Sequence, residues 1–446
     1  MNKGFIISAV IMMFLCAKAY AAAIDSVIYE AGVNRGTVLI SVKDISTGKT
    51  VYALNKNCPI PPASTLKLLT FSAATDTLGK DYEFTTSLYS NKNNELILKL
   101  GADPYLTSSN INSLITAAKD KKIISPKAFY IDDYITDKNE WGEGWQWDDD
   151  LNPLMPKFSA YNLDKNLLSV IIAPTRTGAP AQIHTTKFYP VSFLNLVTSG
   201  AQNNISFSRR NHISPDAVAV EGTVSSQVTR NIPVNNPQRY FILRLEEAIR
   251  HDKLDYYGEF QPKKADGSLS LIKEIKHPLL PDDILKNSSN LAAETVFKLA
   301  GGKFSNETGS QENAYKMLEA YAQKIGLNLN GAKIADGSGV SKNNLVTADF
   351  MTNFLVLRAG QEDFEEFKKM LPTAGEGTLA NRMLYFRDNI RAKTGTLSNI
   401  SAIAGYITAK SGKTYAFDIM INDPETDGND KKALEEHILR AIQAKY

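Results

Sequence analysis

The chain has 446 residues, of which 43% are hydrophobic and 22% charged, and a formal net charge of +2. That length exceeds what one hydrophobic core supports, so two domains or more are expected, and the mixed composition excludes a disordered or fibrous chain. Near-neutrality excludes the basic footprint of a nucleic-acid binder and bulk-charge attraction to an anionic polymer.

Residues 1–21 read as a secretory signal. Lys3 stands near the start, an apolar run extends from Phe5 to Cys16, and Ala19-Tyr20-Ala21 gives a small-x-small cleavage site, with Ala23 as a second choice. The run is too short to span a bilayer. Met13-Phe14-Leu15 before Cys16 lacks the small residues of a bacterial lipoprotein signal, so no lipid anchor is expected. Removal of residues 1–21 takes two lysines and no acid, leaving 48 basic and 48 acidic residues. It also leaves Cys58 as the single cysteine, so no intramolecular disulfide forms. The five histidines (His184, His212, His251, His277 and His437) are scattered without metal-ligand spacing, and neither a metal nor a cofactor is expected. The mature protein is expected to be exported, to the periplasm, without a transmembrane anchor.

After a short helix over Ile24 to Glu30, two β-branched runs (Thr37 to Val42 and Thr50 to Ala53) flank Thr47-Gly48 as a hairpin. Pro61-Pro62 then introduces a buried helix to about Thr77, closed by Leu78-Gly79. From residue 85 to 235 the texture changes to short alternating runs, such as Glu95 to Leu100, Leu167 to Ala173 and Ala217 to Glu221, separated by Asn, Ser, Gly and Pro clusters. This reads as a mainly β insertion. Its one aromatic patch, Trp141, Trp145 and Trp147, precedes Asp148, Asp149 and Asp150. Helical periodicity returns over Tyr240 to Leu254, Pro281 to Ala300, Ala348 to Leu357 and Phe364 to Met370. Strands follow at Ile403 to Thr408 and Tyr415 to Ile421, then an amphipathic helix over Asp430 to Lys445. Strands and helices at both ends of the chain predict one antiparallel sheet flanked by helices, an α+β domain made from residues 22–84 and 236–446 around an insertion at 85–235.

The buried helix carries Ser64 and Lys67 three residues apart, on one face. A serine hydroxyl is a poor nucleophile until a neighbouring base takes its proton. A lysine becomes that base only when desolvation or nearby positive charge lowers its pKa from about 10.4. Two other Ser-x-x-Lys pairs, Ser46 with Lys49 in a turn and Ser270 with Lys273 in a strand-like run, lack the helical setting. Alone, the pair reads more readily as the capped start of a core helix with a solvated lysine than as a catalytic pair.

Two further elements remove that ambiguity. Ser288-Ser289-Asn290 and Lys393-Thr394-Gly395 follow Ser64-x-x-Lys67 in the order of the serine-lysine acyltransferase signature of penicillin-binding proteins and β-lactamases. Pro62 to Leu69, Gly101-Ala102-Asp103-Pro104, Trp145-Gln146-Trp147-Asp148-Asp149, Asp336 to Ser341 and Leu371 to Gly375 narrow the likeness. Over the whole mature chain the sequence resembles the class C low-molecular-mass penicillin-binding proteins, the D-alanyl-D-alanine carboxypeptidase/endopeptidases.

That resemblance implies a serine β-lactamase-like fold with a large insertion, peptidoglycan stem peptides as substrates and β-lactams as covalent inhibitors. It implies Ser64 as the acylated nucleophile, Lys67 as its base, and Ser288 and Asn290 as proton relay and amide holder. Lys393 and Thr394 would bind the terminal carboxylate, Gly395 would let the strand come close, and backbone N–H groups of Ser64 and Thr396 would form the oxyanion hole. A lysine near the nucleophile suits a substrate with a free carboxylate. Asp149 and Lys342 match positions that contact the side chain of the stem diamino acid in relatives; the family usually has arginine where Lys342 stands, and a solvated surface charge is the alternative for both. Gly337-Ser338-Gly339 is not a nucleophile elbow, because Asp336 breaks that pattern. A β-lactamase would need a dedicated deacylating acid, and no clear candidate stands out. A non-catalytic, penicillin-recognising cell-wall module is the remaining alternative, and the intact trio argues against it. Oligomeric state is not legible.

Overall fold

The structure, a computed structural model, describes residues 24–210, 214 and 216–446. The signal segment and His212 lie outside the described residues. The chain forms two compact units. One contains the described residues up to Ala73, together with Leu280–Ser289 and Leu318–Tyr446. The other contains Ala74–Leu279 and Asn290–Met317.

The first unit is built on a five-stranded antiparallel sheet in the order Ile390–Leu397, Ile400–Thr408, Thr414–Asn422, Val38–Asp44, Thr50–Leu54. The hairpin from the chain start thus pairs with strands from its end, as the two-ended strand pattern predicts. Alternation gives the sheet two buried faces. On one, Ile40, Val42, Phe417 and Ile419 pack with Ile24 and Ile28 of helical residues 24–30 and with Leu434, Ile438 and Ile442 of the helix Gly428–Lys445. On the other, Leu39, Ala402 and Met420 meet Ile60 and Ala348, the latter opening the helix Ala348–Ala359.

The second unit holds a five-stranded mixed sheet in the order Phe260–Pro262, Phe129–Asp132, Leu96–Lys99, Glu83–Ser90, Ser270–Pro278. Two three-stranded sheets accompany it. Both outer strands of the mixed sheet come from residues 260–278, so the structural limits of this unit lie beyond the composition shift at 235. The helix Ser108–Asp120 breaks the mainly β texture, and its start is written as a capping box in which Thr107 and Asn110 exchange bonds. Among the described residues, no helix is long and apolar enough to cross a membrane.

One expectation fails instructively. The periodicity over Pro281 to Ala300 predicts a single helix, but the backbone makes a π-helical turn over Asp282–Lys286, breaks at Ser288 with φ of 64°, and starts a helix Asn290–Ser305. A serine in the left-handed region costs energy and is uncommon. Here it sets the Ser288 hydroxyl outside both helical stretches.

Candidate active site

Ser64 lies in a 3₁₀ turn, Ala63–Leu66, that runs directly into the helix Lys67–Leu78. Side chains three apart eclipse in a 3₁₀ turn, whereas an α-helix would offset them. The Lys67 Nζ accordingly stands 2.9 Å from Ser64 Oγ. Lys67 is completely buried while Ser64 keeps partial exposure. Leu66, Leu68, Leu69 and Ala73 are buried completely, which anchors the turn in the core. Ala63, just before the serine, has φ of 51°, an unfavourable backbone that its neighbours hold in place.

One neighbour is the loop Ala335 to Ser341. Buried Asp336 organises it, accepting from Gly339 N at 2.7 Å, Ser341 N at 2.7 Å and Asn344 Nδ2 at 2.8 Å. The loop turns its backbone toward the serine helix: Ser338 O accepts from Lys67 Nζ at 2.7 Å, and Gly337 O from Thr70 Oγ1 at 2.6 Å. Gly339, at φ of 81°, runs so close that a Cβ would lie 2.0 Å from Ala63 O. Ser338 therefore contributes a carbonyl that aims Lys67 at Ser64. Motif reading identifies the loop as structural but cannot find this contact, because a backbone acceptor leaves no trace in residue identity.

The other neighbour is the strand Ile390–Leu397. Lys393 is wholly buried, and its Nζ donates to Ser288 Oγ at 2.8 Å and to Thr394 O at 3.0 Å. Burial, and then repulsion from Lys67, pulls the Lys393 ammonium well below the ordinary lysine range. Repulsion is mutual, so a proton on Lys393 favours the neutral amine on Lys67. Gly395 passes the serine turn at close range: a Cβ there would meet Ala63 Cβ at 2.8 Å and Ser64 N at 2.9 Å. Thr394 is buried and Thr396, paired with Ser401, is exposed.

Ser64, Lys67, Ser288, Lys393, Thr394, Gly395 and Thr396 thus all belong to the first unit. Lys342 belongs to it too and is exposed. Asn290 and Asp149 belong to the second unit. Asn290 is the first residue of its helix, and its amide donates to Leu154 O at 2.8 Å. Asp149 sits in the 3₁₀ turn Trp147–Leu151 and accepts from Gln146 N at 3.1 Å, capping its own turn. The aromatic patch divides: Trp145 is core, edge-on to Trp141 and Phe158, while Trp147 is 81% exposed. Beside it, Arg209 Nε clamps Asp150 at 2.8 Å.

The arrangement offers a hydroxyl with an amine at hydrogen-bond distance, a second buried amine, and a strand passing the hydroxyl's own backbone. Those are the parts of nucleophilic acyl transfer at a carbonyl, with a cation for an anionic substrate end. Among the described residues, no group of His, Cys, Asp or Glu has the arrangement of a metal site.

Comparison with known proteins agrees with this architecture. The D-alanyl-D-alanine carboxypeptidase DacB of Haemophilus influenzae is 25% identical over 413 residues, covering 87% of this chain and 86% of that one. The D-alanyl-D-alanine carboxypeptidase of an Actinomadura species is 26% identical over 439 residues, 90% of this chain and 80% of that one. The crystal structure of penicillin binding protein 4 (dacB) from Haemophilus influenzae superposes with a TM-score of 0.82 at 22% identity, covering 94% of this chain and 98% of that one, and it has also been solved complexed with a novel β-lactam. The model of the D-Ala-D-Ala carboxypeptidase 3 (S13) family matches residues 20–445, and the chain belongs to that family.

Proposed function

We propose that this protein is an exported, periplasmic serine-type D-alanyl-D-alanine carboxypeptidase and DD-endopeptidase that works through a Ser64 acyl-enzyme and is acylated by penicillins at the same residue. The observation that carries the reading is the 2.9 Å contact between Lys67 Nζ and Ser64 Oγ, with Ser338 O holding the amine from its other side. Neutral Lys67 takes the hydroxyl proton as Oγ attacks the penultimate D-alanine carbonyl of a peptidoglycan stem. The oxyanion meets the N–H groups of Ser64 and Thr396, where one donor is typically worth about 2.7 to 4 kcal/mol. The leaving amine, terminal D-alanine or a crosslinked side chain, receives a proton through Ser288, and Asn290 holds the substrate amide. Water then releases the acyl group. Lys393 and Thr394 hold the terminal carboxylate, and Asp149 and Lys342 meet the diamino acid side chain.

The names of the relatives support the substrate class, and the Haemophilus influenzae protein has been solved complexed with a novel β-lactam. The test is labelling of the purified protein with a fluorescent penicillin, followed by product analysis on crosslinked muropeptides. Labelling of wild type and none of Ser64→Ala, which keeps its fold, is the expected result. Persistent labelling at Ser288 or Ser338 overturns the assignment. Release of D-alanine without cleavage of crosslinks restricts the activity to carboxypeptidase.

A further inference from the structure

The second unit carries a cleft that the proposed chemistry does not use. Two adjoining cavities, about 440 Å³ and about 620 Å³, share Glu246, Tyr257, Gly258 and Phe260 in their walls, so Tyr257 borders both sides of this cleft region. The loop that presents Tyr257 is fixed from below. Tyr256 turns inward, packs its ring against Phe129 and Phe260, accepts from Phe129 N at 3.2 Å and donates to Glu259 O at 2.6 Å. Gly258 keeps this arrangement, since a Cβ there would come within 2.8 Å of the Tyr256 hydroxyl. With its neighbour locked inward, Tyr257 stands 92% exposed on a well-fixed loop.

The rest of the wall is aromatic and polar, with its buried charge already neutralised. Tyr134 lines the larger cavity and is 42% exposed. Asp133, 2% exposed, is ion-paired with Lys138 and accepts from the Tyr161 hydroxyl at 2.8 Å, which Gln238 contacts in turn at 3.3 Å. Burial and Asp133 push the Tyr161 hydroxyl up, so it stays a donor. Glu246 pairs with Arg250 at 3.7 Å. Asp133 and Glu246 each face a cation already, and with the exposed Lys253, Asp255 and Glu259 the walls carry three basic and four acidic side chains, signs interspersed and with no concentrated charge for a peptide ammonium or carboxylate. Flat amphipathic rings with neutral hydrogen-bonding groups instead suit a ligand that has apolar C–H faces and many hydroxyl and amide groups.

We infer that the Tyr257 cleft binds a neutral saccharide, an oligomer of N-acetylated hexosamines, and so holds the glycan strand whose stem peptides the first unit processes. The choice of polymer rests on the peptidoglycan reading above; the binding itself does not.

The test titrates the full-length mature protein with chitohexaose, a probe that carries neither peptide nor carboxylate, and follows binding by calorimetry. Saturable binding is expected, weakened roughly tenfold or more in Tyr257→Ala, which removes one stacking ring. Tyr134→Ala is the second variant and is expected to weaken binding as well. Both variants should take up fluorescent penicillin like wild type, which verifies the fold independently of the saccharide. No saturable binding by wild type, or equal binding by wild type and both variants, overturns the inference. So does competition for the cleft by a stem peptide and not by the saccharide. Saccharide binding by a protein that fails to label with penicillin would leave this inference standing and overturn the acyl-enzyme reading.

Discussion

Gly395 and Ser64 approach so closely that a Cβ on the glycine would lie 2.9 Å from the serine's backbone nitrogen. That nitrogen is a proposed oxyanion donor, so the strand at Gly395 fixes the direction in which it points. Gly395→Ala also drives a methyl to 2.8 Å from Ala63 Cβ and 3.0 Å from Pro62 O, and the short Ala63 side chain and the turn's backbone leave nothing flexible to yield. The variant should fold, because the change is one methyl at a sheet edge. Its second-order rate of penicillin acylation should fall by at least about tenfold, from partial loss of an oxyanion donor. Stopped-flow acylation measures it, and a rate equal to wild type would separate the strand from the chemistry.

Lys67 is proposed to act as a base, not as a fixed charge. Lys67→Arg keeps a cation in the same pocket but cannot give up its proton. Acylation should therefore fall by roughly two to four orders of magnitude, as for removal of a general base. Near wild-type acylation by the arginine variant would place the base elsewhere.

Lys393 provides a pH signature. It holds the substrate carboxylate only when protonated, and burial together with Lys67 pulls its ionisation well below the ordinary lysine range. Raising the pH through that lowered value removes the charge, so peptide affinity falls on the alkaline side earlier than about pH 10.4, where an unperturbed lysine titrates. Binding of a D-alanyl-D-alanine peptide measured in a Ser64→Ala background isolates this from the chemical step. An alkaline limb at or above about pH 10.4 would show that Lys393 does not hold the carboxylate as a buried ammonium.

Ser64, Lys67 and Lys393 were legible in the sequence because each sits in a short local pattern, and the antiparallel sheet because β-branched runs stand at both ends of the chain. Ser288 was legible as well, from Ser288-x-Asn290, but its left-handed backbone is hidden by helix periodicity, and the Ser338 contact was not legible because it runs through a carbonyl. The limits of the second unit depend on which strands pair, and the strand Ser270–Pro278 finds its partner Glu83–Ser90 about 190 residues away, which no local pattern encodes. Asp418 is equally hidden: it occupies a strand position between Phe417 and Ile419, opposite Ser41 and Ala404, yet both its carboxylate oxygens are buried without a hydrogen-bond partner among the described residues.

Asp418 in turn predicts a stability profile. Burial, and then Glu435, raises its carboxyl well above the usual carboxylate range. In the unfolded chain it ionises near pH 3.9, so between that pH and the raised folded value the unfolded state binds fewer protons and stability declines as pH rises. Asp418→Val substitutes an apolar side chain of similar size for an unpaired polar group. It should stabilise the protein at pH 7 by about 1 to 3 kcal/mol and flatten the decline. Denaturant unfolding at pH 5 and pH 8 reads both effects, and a variant less stable than wild type at pH 8 would mean that the carboxylate has a partner.

Asp149 separates a structural from a recognition role within one side chain. Its carboxylate caps the turn that carries Trp147 by accepting from Gln146 N at 3.1 Å, and it also stands where the diamino acid ammonium of a stem peptide is proposed to bind. Asparagine retains an oxygen that can accept the same N–H but removes the charge. An exposed ion pair contributes only about 0 to 1 kcal/mol, whereas one enclosed on substrate binding contributes a few. Asp149→Asn should therefore lower kcat/KM roughly tenfold or more for stem peptides with a free side-chain amine, and leave penicillin acylation near wild type, because penicillin lacks that amine. Asp149→Ala removes the cap as well and should slow both substrates. Equal losses for peptide and penicillin in the asparagine variant would make Asp149 a support of the turn alone, and no loss in either variant would make it a surface charge.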